Sequence, residues 1–240
     1  VCTAAAIAAT SHSAASKTLV VDNSFTLKTA DPQRAYDPTG SIVDRGIFDT
    51  LFTYDKADLA HPIPLLVSSW GASDSARVFT FKLKPGIKWA PPLTRDVTSK
   101  DVAYAFQRIN AAPLVAQYGF WYYGTIKGMD GKAKSADEKV SGIETPDDQT
   151  IIFNLEKPTG DFQYRLSMPA AAPIPEEVAK CFKKAGDYGR YVMSNASYMI
   201  QGADKLDISS CDAMKPISGF DPSKSLTLVR NPNYDQATDD

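Results

Sequence analysis

The stretch from Val78 to Asn110 constrains the fold more than any other, because two periodicities succeed each other with a tight turn between them. Phe79, Phe81 and Leu83 alternate with Thr80, Lys82 and Lys84, the pattern of a strand with one buried face. Pro85-Gly86 supplies the turn, since proline pre-sets the first corner and glycine tolerates positive φ at the second. Thr98 and Asp101 then stand at capping-box spacing, and Val102, Ala105, Phe106 and Ile109 fall on one helical face. A strand, a turn and a capped helix this close together call for a sheet with a helix packed on it.

The rest of the chain mixes short strands and helices without a regular βαβ rhythm. Expected helices cover 41–51, with Ser41 as N-cap and Asp44 in the first turn, 161–166, and 175–185 with Pro175 at its start. Expected strands cover 17–23, 197–201 and 225–230, and Val140–Leu155 reads as a hairpin turning at Pro146-Asp147-Asp148. Trp70 is expected to close an extended segment before a polar turn over 71–76. The reading is an α/β (mixed α+β) chain with a mixed sheet.

Charge excludes several function classes. The 26 basic and 28 acidic residues are well mixed and leave a net charge of −2, so no basic stripe points to nucleic acid. There is no apolar run of membrane-spanning length. Residues 1–16 are Ala-rich and of low complexity, and are expected to be a leader or disordered tail. Ser13-Ala14-Ala15 resembles a signal cleavage site, and Cys2 is a candidate lipid-bearing cysteine, although Val1 is a poor residue to precede one. Both point to an extracytoplasmic protein. In such a compartment Cys181 and Cys211 would pair, contributing about 3–4 kcal/mol by loop closure; the alternative is two free thiols.

No nucleophile elbow, zinc-protease helix, phosphate loop or dinucleotide fingerprint is present, and no cofactor is expected. With two histidines, one in the leader, a hydrolase on an unrelated α+β fold would rest on His61 alone. Asn195-Ala196-Ser197 matches a glycosylation sequon, a triplet that also arises by chance. Two segments could receive a ligand. The aromatic group Tyr118, Phe120, Trp121, Tyr122 and Tyr123 could line a groove, or pack as core and rim. Tyr36-Asp37-Pro38-Thr39-Gly40 reads as a turn-rich loop whose free backbone groups could take an extended ligand, or as a plain surface turn.

Seven segments, in order, resemble the family 5 extracellular solute-binding proteins, the dipeptide/oligopeptide receptors of bacterial ABC transporters. They are Leu19-Val20-Val21 with Asp31-Pro32, Asp49-Thr50-Leu51 with Tyr54-Asp55, and Pro64-Leu65-Leu66 with Ser69-Trp70. Phe79–Trp89, Val97–Val102, Ile143–Leu155 with Lys157-Pro158, and Asn231-Pro232-Asn233-Tyr234 complete the set. Ala90–Arg95 and Ser194–Tyr198 depart from the family pattern.

The resemblance implies a type II periplasmic-binding-protein lobe over residues 17–240, the N-terminal portion of a two-lobed receptor. Its main sheet subdomain would comprise 17–45 and 165–240, with 46–164 inserted. It implies a binding protein rather than an enzyme, monomeric, handing di- or oligopeptides to membrane permease subunits. It also implies ligand contacts at Tyr36, Asp37, Pro38 and Thr39 and a wall near Leu114 and Tyr118, with Trp121 from the aromatic group beside them. Other cargo within the family would be oligosaccharide, nickel or haem. A lobe that binds nothing alone is the remaining reading.

Overall fold

The computed structural model describes residues 19–21, 27–55, 57–114 and 119–235. Helix α1 spans Pro38–Ile47, and after it come strands β1 (Phe52–Tyr54), β2 (Pro62–Pro64), β3 (Val67–Ser73) and β4 (Val78–Leu83). Helices α2 (Ser99–Asn110) and α3 (Gly119–Tyr123) precede the hairpin strands β5 (Ile143–Glu144) and β6 (Thr150–Asn154). Short helices α4 (Phe162–Arg165) and α5 (Glu176–Ala179) lead to β7 (Tyr198–Ile200), β8 (Phe220–Asp221), β9 (Ser225–Leu226) and β10 (Leu228–Arg230).

The largest sheet has the order β3-β4-β6-β5, antiparallel throughout. Its register sets Phe81 opposite Ile151 and Phe79 opposite Phe153. Phe79, Phe81 and Leu83 are buried while Thr80 and Lys82 face water, as the alternation requires. Helix α2 covers the buried face: Phe106 meets Phe153 at 5.0 Å and Tyr123 at 5.1 Å, both edge to face, and Phe162 joins at 5.2 Å from Phe153. Edge-to-face contacts of this kind each add about 0.5–1.5 kcal/mol beyond the area they bury. The helix starts where its cap places it, with the Asp101 carboxylate accepting the Thr98 N–H at 2.8 Å.

Asp101 serves three partners at once. It accepts from the buried Trp89 indole at 3.3 Å and takes Arg95 through both guanidinium Nη atoms at 2.7 Å. Arg95 also grips Glu177 on α5 at 2.6 and 2.7 Å. The loop 90–95, which departs from the family pattern, thereby clamps the start of α2 to α5. A second set of pins uses asparagines, two of them buried and one half-buried, in place of backbone. Asn195 exchanges hydrogen bonds with the Asp49 backbone at 3.0 and 3.1 Å, Asn231 donates to Ala196 O at 2.9 Å, and Asn233 donates to Trp89 O at 2.8 Å. Asn195 is fully buried, so its sequon is closed to glycosylation.

Several expectations change. Helix α1 begins at Pro38, not Ser41, because Asp37 is the N-cap and accepts from Gly40 N at 2.8 Å, with proline favoured in the first turn. Strand β3 continues past Trp70 to Ser73, since cross-strand pairing with β4 holds as far as Ser73 opposite Val78. Helix α5 stops at Ala179: Cys181 bonds to Cys211 (Cα–Cα 5.3 Å), and Phe182 leaves the helix axis to stack on Tyr191 at 4.1 Å. Leu19–Val21 lie exposed outside any strand; the rest of the strand expected over 17–23, like residues 1–16 with Cys2, lies outside the described residues.

The β3–β4 turn holds Asp74, Ser75 and Ala76 at φ of 48°, 52° and 61°, a left-handed run that L side chains adopt at a cost. Ser75→Gly at this exposed position is therefore expected to stabilise the fold by about 1 kcal/mol, seen as a raised urea midpoint at unchanged slope.

Candidate functional site

The site is built on Asp31. Its main-chain carbonyl accepts from Arg34 N at 2.9 Å and one carboxylate oxygen accepts from Gln33 N at 3.1 Å, closing a turn after Pro32. The other oxygen pairs with Arg108 of α2 at 2.9 Å, and both side chains are buried, at 1% and 3% exposure. The Arg108 guanidinium lies 4.6 Å above the Tyr188 ring. Gln33, also buried, reaches Ala105 O at 2.7 Å and Ala170 O at 3.3 Å. The segment is thus nailed down from beneath, and the residues after it are presented outward.

Outward go Tyr36, 59% exposed, and then Asp37, Pro38 and Thr39. These last three are not loop residues: Asp37 caps α1, and Pro38 and Thr39 form its first turn. Pro38 and Thr39 therefore present the amino end of a helix, not the free backbone edge that a turn-rich loop would offer.

The same surface carries the second candidate segment. Tyr36 Oη lies 3.4 Å from Tyr122 Oη, and Arg34 Nη1 donates to Leu114 O at 3.4 Å. Leu114 is half-buried against the core. In α3 the aromatic group splits. Tyr123 is fully buried, donates to Arg165 O at 2.7 Å and packs on Phe106, so it belongs to the core and not to a groove. Phe120 is 45% exposed and Trp121 85% exposed. Arg165, itself held by Asp161, donates to Tyr122 O at 2.7 Å and steadies the helix. Tyr118 lies outside the described residues. Tyr36 meets Tyr122, the neighbouring Arg34 meets Leu114, and Trp121 is exposed on the same short helix as Tyr122.

Asp44, expected in the first turn of its helix, is 1% exposed and neither of its oxygens has a hydrogen-bond partner. Burial above all, then the charges of Asp31 and Asp37, pushes its carboxyl up to about 8 from an ordinary 3.8. His61 is exposed and tied to Asp58 at 2.7 Å within a turn whose backbone Asp58 also caps, which is a turn's role. Among the described residues no cluster of three or more His, Cys, Asp or Glu side chains could hold a metal ion, and no helix is long and apolar enough to cross a membrane.

Comparison with known proteins places this geometry. The profile described as "Bacterial extracellular solute-binding proteins, family 5 Middle" matches residues 61–239. The periplasmic oligopeptide-binding protein OppA of Salmonella typhimurium is 28% identical over 237 residues, covering 97% of this chain and 39% of the relative. Heme-binding protein A of Haemophilus influenzae is 31% identical over 129 residues, 51% of this chain and 22% of the relative. Among solved structures, the clavulanic acid biosynthesis oligopeptide binding protein 2 superposes with a TM-score of 0.70 at 27% identity, over 88% of this chain and 35% of that one. The fold is that of a type II substrate-binding lobe, and the chain spans between a third and two fifths of the length of the OppA relatives it matches.

Proposed function

Because the chain belongs to the bacterial extracellular solute-binding proteins of family 5, we propose that it is part of the cargo-capturing subunit of an ABC importer, acting outside the cytoplasm, with di- or oligopeptides as cargo. The observation that supports this most directly is the meeting of Tyr36, at the head of α1, with Tyr122 and of the neighbouring Arg34 with Leu114, with Trp121 exposed on the same helix as Tyr122. The Asp37 carboxylate at the head of α1 offers an acceptor to a peptide's N–H groups, Pro38 and Thr39 complete that rim, and the aromatic side chains offer apolar faces to its side chains. We take Tyr36, Asp37, Pro38, Thr39, Leu114, Tyr118 and Trp121 as the contact set. Residues 46–164 form the inserted subdomain of this reading, and the receptor works as a monomer with membrane permease subunits. It is a carrier without catalytic chemistry.

Residues 1–240 are expected to bind tri- to pentapeptides weakly, above about 10 μM, because one wall cannot bury a peptide on both sides. Submicromolar affinity by calorimetry would contradict that. In the full-length receptor Trp121→Ala should weaken peptide binding about tenfold while leaving the melting temperature unchanged. An unchanged peptide affinity removes Trp121 from the set. The similarity to a haem-binding protein supports a second cargo reading, and a Soret band on haem titration would decide for it. With two histidines in the chain, axial ligation by histidine has little to draw on.

A further inference from the structure

The bond between Cys181 and Cys211 holds a segment that little else holds. Cys211 lies in residues 207–213, all exposed except the half-buried Ile208 and Ala213. The hydrogen bonds of this segment stay inside it: Ser209 N donates to the Asp207 carboxylate at 3.0 Å, and Ala213 N to Ser210 at 3.2 Å. Among the described residues, its side-chain ties to the rest of the molecule are Ile208, packed against the core, and the disulfide.

The chain on both sides is fixed without that bond. Leu206, Met214 and Ile217 are buried, and Ile217 N donates to Arg190 O at 3.0 Å. Inside the loop that the disulfide closes, residues Val192 to Ala196 are buried, Asn195 is pinned to the Asp49 backbone, and Phe182, next to Cys181, stacks on Tyr191. Native regions open in separate cooperative units, and the weakest are those with few buried contacts and exposed backbone, as here.

We propose that Cys181–Cys211 is a redox latch: reduction frees residues 207–213 while the rest of the chain stays folded. Asp207 and Ala213, the two ends of the segment, line one cavity of about 300 Å³ together with Leu206 and Ile217, so its release opens that cavity and wets those two apolar side chains. The reductant is a dithiol, free or carried by a protein. Its thiolate attacks the sulfur of Cys211, the exposed partner, giving a mixed disulfide, and Cys181 leaves as a thiolate that takes up a proton. The second thiol of the reductant then displaces Cys211. Two electrons have passed to the cystine, the dithiol has become a disulfide, and two cysteine thiols remain. The Cys181 thiol finds an acceptor in Glu177 O, 4.0 Å from its sulfur. Re-oxidation closes the latch. None of these residues belongs to the proposed peptide-contact set, so this inference stands apart from the cargo.

The test treats the 240-residue chain with dithiothreitol in the absence of denaturant, traps thiols with iodoacetamide, and then digests briefly with a protease that cuts beside aspartate. Alkylation is expected at both Cys181 and Cys211, and cleavage at Asp207 and Asp212 at least about tenfold faster than in the oxidised chain. Cleavage at Asp130, exposed in another loop, should not change. Cys181→Ser combined with Cys211→Ser should be cut at the fast rate with or without dithiothreitol, which separates the latch from any effect of Cys2. A bond that resists dithiothreitol until urea is added overturns the proposal, as does equal cleavage of the oxidised and reduced chains at Asp207 and Asp212. Faster cleavage at Asp130 as well would overturn it too, since the disulfide would then be a staple for the whole fold.

Discussion

Asp44→Asn is expected to make the protein more stable, by an amount that grows with pH. The folded carboxyl sits near 8 and the unfolded one near 3.8. Between those values the native state holds a proton that the unfolded chain has lost, so stability falls as pH rises through that window. The penalty reaches as much as ~4 kcal/mol at pH 7 relative to pH 4, from 1.36 kcal/mol for each unit of difference. Asparagine carries no charge to desolvate, but its amide inherits the missing partner at a cost of about 1–3 kcal/mol. The net gain should therefore be near zero or slightly negative at pH 4.5 and about 2.5–4.5 kcal/mol at pH 8.5. Urea melts of both proteins at the two pH values measure it. Parallel pH profiles for wild type and variant would show that Asp44 is ionised and satisfied in the native state.

Arg108→Ala should be the most damaging single substitution within reach of the site. It strands the Asp31 carboxylate, 1% exposed, without its cation, and removes the guanidinium from the Tyr188 ring. Breaking a buried pair from one side costs about 3–5 kcal/mol. The double substitution Asp31→Leu with Arg108→Met should recover a large part of that loss, since the ion pair had to be desolvated in the first place. Double-mutant cycles by denaturant melts give the coupling directly, and additivity of the two single changes would refute the pairing. Arg108→Ala should also loosen Tyr36 and the head of α1, because Asp31 closes the turn that positions them.

The features legible in the sequence were local ones. Phe79, Phe81 and Leu83 announce their strand, and Thr98 with Asp101 announces the start of α2, because each signal is written in neighbouring residues. The approach of the segment before α1 to Leu114 is foreshadowed only by family resemblance, and its contact with Tyr122 not at all, since nothing in either segment encodes the distance to the other. Asp37-Pro38 reads as a turn pair but is a cap and first turn. A place in the first turn of the expected helix does not reveal that Asp44 is buried. Arg95 bridging Asp101 and Glu177, and the asparagines standing in for backbone, are long-range choices among many possible partners, and composition says nothing of which partner wins. Tyr123 shows the same limit within a single helix, sealed in the core two residues from an indole in open water.

The anchoring of Gln33 and Asp31 from below has a consequence for how cargo is met. A recognition segment that must first be ordered by its ligand loses affinity to that ordering, at about 1–2 kcal/mol for each residue fixed. Here the turn from Asp31 to Ala35 is already held by two side chains reaching α2 and the segment after Pro169, and by two backbone bonds to Asp31 O. The head of α1 is a finished surface before anything arrives. On the proposed reading, peptide encounter at this surface should therefore be fast and single-phased.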